Sequence, residues 1–247
     1  MPKKTLIITD VTAMSADNVC IAGYDSSMTC IRPVLQIGQL KKRLLFRDGK
    51  LIIYPGAKVS FNLTSSIPQP PHIEDCIFQE APMNVGVATL REWKDVLQQT
   101  SATTFTELFP SLESRYVPPG SAGPSIGTLR TRIKPSLSCE HFGNRSSLRM
   151  KIADNIGTII ERVPITDLAF RSLFKAALEQ TKDDSENAVK FLNKKFNESE
   201  VYLRLGLTRP FPQAPAPYNG WCCLQINGIH TFPNLYDYDY DKWIVLE

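Results

Sequence analysis

The stretch Pro118-Pro119-Gly120-Ser121-Ala122-Gly123-Pro124 constrains this chain more than any other. Proline supplies no ladder donor and glycine no stiff backbone, so neither a strand nor a helix runs through it. It divides the 247 residues into two parts of ordinary domain size. Similar periodicities recur on its two sides. Before it, residues 4–11, 19–24 and 28–34 are rich in Ile, Val and Cys and are separated by polar turn signals, which predicts a three-stranded meander. Residues 36–46 place Ile37, Leu40, Leu44 and Leu45 at helical spacing, and residues 51–54, 58–63 and 75–80 return to strand character. Thr89 with Glu92 forms a capping box for a helix to about Gln99, followed by a short helical piece around Phe105, Leu108 and Phe109.

After the break, residues 127–135, 148–154 and 157–163 read as strands. Residues 168–180, capped by Thr166 or Asp167, and 186–197 read as helices. Residues 201–208 and 221–229 read as strands again. Three strands, a helix and two strands, twice over, is the element order of two five-stranded OB barrels. The expectation is therefore a mainly β chain with helical insertions (α+β). It would have a first OB-like barrel over residues 1–82 and a helical connector with a Pro/Gly-rich end over 83–124. A second barrel over 125–247 would carry a C-terminal aromatic and acidic tail. Few contacts are expected to cross the connector, so limited proteolysis should cut there first.

Composition narrows the function classes. With 43% hydrophobic and 21% charged residues the chain has the makeup of a soluble globular protein. A net charge of +3 is too small for whole-protein attraction to a polyanion, so any nucleic-acid surface is a local patch. The six cysteines form no C-x-x-C pair and read as reduced, buried and structural, with zinc a poor second. The opening apolar run ends at Asp10, too short for a secretion signal, and no stretch reaches the length of a membrane span. The expected location is cytoplasmic. A glycine-rich phosphate loop, a G-x-S-x-G elbow and an H-E-x-x-H helix are all missing, so no cofactor or metal is expected and an enzyme is the less favoured class.

Four strings carry a resemblance: Ile8-Thr9-Asp10-Val11-Thr12, Cys30-Ile31-Arg32-Pro33-Val34, Pro70-Pro71-His72-Ile73-Glu74-Asp75-Cys76 and Pro164-Ile165-Thr166-Asp167-Leu168. Together they resemble the bacterial family of dual OB-containing domain proteins over nearly the whole chain. That resemblance implies two OB barrels and a nucleic-acid or partner-binding role.

Four groups of residues are candidate sites. Arg130, Arg132 and Lys134 alternate by two and would share one strand face, joined by Arg145, Arg149 and Lys151. Such a face tracks a phosphate backbone, with Phe142 able to stack on a base. The alternative is a solvated outer face. A secondary basic patch is Lys41, Lys42 and Arg43, also readable as a solvated helix face. His72, Glu74 and Asp75 put an imidazole and two carboxylates within four residues, suited to metal or acid–base chemistry but favoured as structure. In the tail, Tyr236, Tyr238, Tyr240 and Trp243 alternate with aspartates, as either an edge strand or a partner dock. The leading expectation is a non-catalytic module for single-stranded nucleic acid or a nucleic-acid-processing partner. The competitor is a scaffold subunit of a bacterial multi-protein system, such as a defence system, and the weakest reading is an enzyme using His72 and Glu74.

Overall fold

The computed structural model describes residues 3–142, 145–182 and 184–245. The first half contains β1 (Lys3–Ala13), β2 (Val19–Tyr24), β3 (Cys30–Val34), the two-residue strands β4 (Phe46–Arg47) and β5 (Lys50–Leu51), β6 (Ala57–Ser66) and β7 (Asp75–Val87). Five of these close into a barrel in the order β1-β2-β3-β7-β6. Every neighbouring pair is antiparallel except β3 and β7, which run parallel. Period-2 patterning fills the interior: along β6, Ala57, Val59, Phe61 and Leu63 are buried while the residues between them are half-buried.

The helix expected over residues 36–46 is not there. Only a 3-10 turn at Lys42–Leu45 forms. Gly38 has a φ of 87°, so the backbone leaves the helical region; Ile37 is 88% exposed, while Leu40 and Leu45 reach the core without a helix.

Next come α1 (Leu90–Gln99), β8 (Ser101–Ala102), α2 (Phe105–Leu108) and β9 (Tyr116–Val117). Both helices begin with complete capping boxes, Thr89 with Glu92 and Thr104 with Glu107. The second half has β10 (Ile126–Arg130), β11 (Ser136–Phe142), β12 (Arg145–Ala153), β13 (Ile159–Pro164), α3 (Leu168–Gln180), α4 (Ser185–Asn197), β14 (Glu200–Leu207) and β15 (Cys222–Phe232). Its strands form two sheets in place of the expected second closed barrel: a curled five-stranded sheet ordered β8-β10-β14-β15-β9 and a meander of β11-β12-β13. The strand expected over 127–135 breaks after Arg130, because Thr131–Pro135 leaves the extended path and Pro135 has no N–H to donate. A parallel bridge between Ile165 and Ile226 links the exit of the meander to β15.

One hydrophobic cluster runs through both halves, from Leu6 to Ile244. Polar groups cross the seam as well. The Arg204 side chain on β14 is 0% exposed and reaches Asp10 on β1, with Nη2 2.8 Å and Nε 2.9 Å from Oδ2. Its Nη1 donates to the Tyr24 hydroxyl at 2.7 Å and to Thr128 Oγ1 at 2.8 Å. The composition of the 118–124 connector announces none of this. No helix among the described residues is long and apolar enough to cross a membrane.

Candidate functional site

Arg130 ends β10, and the irregular turn after it carries Arg132 and Lys134. They do not share a strand face, yet all three line one cleft of about 480 Å³ with Thr103, Asn155 and Glu200. The turn is held in place by Asn155 Oδ1, which accepts from the Arg132 amide at 2.8 Å. The Asn155 amide in turn donates to the Thr103 carbonyl at 3.0 Å. Arg130 binds Glu200 at 2.8 Å, and its guanidinium lies 5.6 Å from the Tyr202 ring centroid. Lys134 donates to the Ser199 carbonyl. The Arg132 side chain is exposed and has no ion-pair partner among the described residues. Glu200 also binds Lys94 at 2.8 Å, and these cations hold its carboxyl below the usual range despite its partial burial.

Arg149 and Lys151 lie elsewhere and are already paired. Arg149 and Arg162 both bind Glu140, and Lys151 binds Glu161 at 2.9 Å. The side chains of Phe142 and Arg145 lie outside the described residues. The loop expected around residues 140–145 belongs to the β11–β12 hairpin, in which Phe142 pairs with Arg145. Lys41, Lys42 and Arg43 sit at the 3-10 turn, with Lys41 Nζ 3.3 Å from the Ala16 carbonyl.

His72, Glu74 and Asp75 lie at the seam between the halves. Glu74 Oε1 accepts from the amides of Ser125 and Ile126 at 2.7 and 3.1 Å, and its Oε2 accepts from the Ser125 hydroxyl at 2.8 Å. Asp75 is clamped between Arg32 and Arg209. His72 is buried, with Nε2 3.9 Å from the Cys222 thiol and no partner for Nδ1. Among the described residues, no three His, Cys, Asp or Glu side chains are arranged to hold a metal. All six thiols are free; Cys222 is fully buried, whereas the expected full burial of the other five is only partial.

Burial, with Arg32 and Arg209 adding to it, pushes His72 down to about 3, and burial pushes His230 down to about 4. His230 Nε2 donates to the Thr9 carbonyl at 2.9 Å while Nδ1 has no partner, so a second ring proton would be an unsatisfied buried donor. Both folded values lie below the ordinary value of about 6.5, so the unfolded state takes up protons first as the pH falls. Stability from these two groups is complete above about pH 6.5 and is lost progressively toward pH 3 to 4. Burial raises Asp167 to about 7, so its contribution runs the other way and is lost as the pH rises through that value. Two histidines against one aspartate leave a net slope of roughly 1.4 kcal/mol per pH unit between about pH 4 and 6.5, rising with pH. Urea unfolding across that window should show it, and His230→Gln should flatten it.

The tail is not an edge strand. It turns at Asp237 and Tyr238, where φ is 50° and 59°, and ends in a 3-10 turn at Tyr240–Lys242. Tyr236 and Tyr240 therefore point inward and Tyr238 outward, against the alternation by two. Tyr240 stacks on Tyr54 at 5.8 Å, and Trp243 Nε1 donates to the Tyr236 carbonyl at 3.4 Å.

Sequence reasoning missed one surface. Tyr116 stacks on Tyr218 at 4.5 Å, and Tyr218 meets Trp221 edge-on at 5.2 Å. The Arg115 guanidinium lies 5.5 Å from the Tyr116 ring centroid and also donates to the Arg162 carbonyl. The signal that could have found it is the run from Arg209 to Trp221, four prolines interleaved with Phe211, Tyr218 and Trp221. No protein-family model and no curated protein matches the chain.

Proposed function

We infer that this chain is a non-catalytic module that binds single-stranded nucleic acid. The observation that carries the reading is the cleft gathering Arg130, Arg132 and Lys134 against a single carboxylate, Glu200. Single strands are held by cations that follow the backbone and by aromatic rings that stack on bases. Tyr218 and Trp221, both half-buried, supply the second kind of group, with the buried Tyr116 stacked beneath Tyr218. The architecture supports the same reading. The β1-β2-β3-β7-β6 order with one parallel closing pair is that of an OB barrel. The second half follows the same order if β10 and β11 are one first strand interrupted at residues 131–135. A closed barrel followed by a second half of the same strand order would agree with the resemblance to bacterial dual OB-containing domain proteins. Glu74 does not support the enzyme reading, since both its oxygens are occupied by Ser125 and Ile126.

A protein partner is the second reading. Met83, Val85 and Val87 are exposed along the part of β7 that lies beyond its pairing with β3.

Binding of a fluorescent oligo-deoxythymidine, titrated at two salt concentrations, tests the first reading. Arg132→Ala with Lys134→Ala should weaken binding and reduce the salt slope by roughly 0.7 for each phosphate no longer neutralised. Arg149→Ala and Lys151→Ala should do little, because their charges are already met by Glu140 and Glu161. An unchanged slope in the first variant would remove the cleft from consideration.

A further inference from the structure

A second cleft, of about 240 Å³, opens where the tail crosses the first barrel. Tyr54, Trp93, Tyr238 and Tyr240 line it, with Val87 and Leu90 at 57% and 56% exposure. Tyr54, half-buried, and Tyr238 supply the accessible rings, while Trp93 and Tyr240, 3% and 5% exposed, form the floor, so aromatic residues meet from three separate stretches: the segment before β6, helix α1 and the tail. Tyr238 is 52% exposed in left-handed backbone, a conformation that a bulky residue adopts at a cost. That strain holds a ring at the mouth of the cleft and does not bury it.

The charge around this cleft has one sign to spare. The nearby lysines are engaged, Lys58 with Glu92 at 2.7 Å and Lys94 with Glu200 at 2.8 Å. Asp237 and Asp241 flank Tyr238 and Tyr240 in the chain and have no ion-pair partner among the described residues, whereas Asp239 is paired with Lys242. Burial raises the Tyr54 hydroxyl, and the nearby Asp241 charge adds to the shift. The first turn of α1 begins here too, with the Glu92 amide donating to Thr89 Oγ1 and the Thr89 amide to the Glu92 carboxylate.

We propose that this cleft is an aromatic cage for a quaternary or methylated ammonium group. Aromatic faces carry the negative end of a ring quadrupole and attract such cations. A permethylated nitrogen has no N–H to satisfy, so it enters an aromatic cleft without losing hydrogen bonds, and the unpaired Asp241 carboxylate near Tyr54 adds to the attraction. The cleft is distinct from the basic one, so this proposal and the nucleic-acid reading stand or fall separately.

Choline and its neutral isostere 3,3-dimethyl-1-butanol, titrated into the full chain and followed by NMR, test it. Choline should bind, and the isostere should bind roughly tenfold more weakly. Tyr238→Ala, at an exposed ring, and Asp241→Asn, at an exposed carboxylate, should each weaken choline severalfold with an unchanged Tm. Equal binding of the two compounds would make the cleft a simple apolar hollow and overturn the proposal. So would no choline binding, or choline affinity untouched by both variants.

Discussion

Replacing Arg204 by Met should cost this protein about 3–5 kcal/mol, the range for breaking a fully buried ion pair from one side. The loss comes less from the missing attraction than from what stays behind. Asp10 would be left at 1% exposure with only the Thr9 hydroxyl still donating to it. The Tyr24 and Thr128 hydroxyls would lose their shared donor. Asp10→Leu leaves the opposite orphan, a buried guanidinium 4.9 Å from the Tyr24 ring centroid, and should cost a similar amount. The double variant leaves neither charge unpaired, so it should be much less destabilised than the sum of the two. Urea unfolding of all four proteins measures this, and additive losses would show that the pair does not act as a unit. Because the pair joins β1 to β14 within one continuous core, unfolding of the native protein should be a single transition.

That pair is legible in the sequence once burial is considered. Asp10 is the lone charge in Ile7-Ile8-Thr9-Asp10-Val11, and Arg204 the lone charge in Val201-Tyr202-Leu203-Arg204-Leu205. A charge buried in an apolar strand requires a partner, and each of these strands supplies the other's. Local signals carry further. The capping boxes at Thr89 and Thr104 and the Asp167 cap each complete themselves within four residues, so α1, α2 and α3 stand where periodicity and caps place them. Residues 36–46 mislead because Leu40 and Leu45 reach the core from a chain that turns at Gly38, so residues at helical spacing are buried without a helix. Strand β11 reads as turn and loop because Ser136, Ser138, Glu140 and His141 dominate it and only Leu137 and Cys139 mark its inner face.

The basic cleft is half legible. The nearness of Arg130, Arg132 and Lys134 follows from sequence alone, but the way they converge does not. It depends on β10 ending at Arg130 and on Asn155, from a different turn, pinning the Arg132 amide. The aromatic cluster is legible only in part: the run from Arg209 to Trp221 marks Tyr218 and Trp221, but the stacking of Tyr116 on Tyr218 is decided by the pairing of β9 with β15. The same holds for Arg149 and Lys151, whose carboxylate partners on β11 and β13 become neighbours only when the meander forms.

Removing residues 234–247 should lower the Tm by many degrees or leave no folded protein. Tyr236 and Ile244 are each 1% exposed, and Tyr240 packs between Tyr54 and Tyr236, with ring centroids 5.8 and 5.1 Å away. Truncating a buried aromatic costs about 3–5 kcal/mol, so losing two of them with an isoleucine approaches the whole stability of an ordinary domain. The Tyr236 hydroxyl also donates to Asp167 at 3.3 Å, and that carboxylate accepts the Ile229 amide and caps α3. Loss of the tail thus exposes the first barrel and loosens the second half together. Two single changes separate packing from the hydrogen bond: Tyr236→Phe should cost only about 1 kcal/mol, and Tyr236→Ala several times that. Tyr238→Ala, at the outward ring between them, should leave the Tm almost unmoved. A truncated chain that melts where the full one does would mean that the tail is a free docking arm, and the inward packing of Tyr236 and Tyr240 would have to be abandoned.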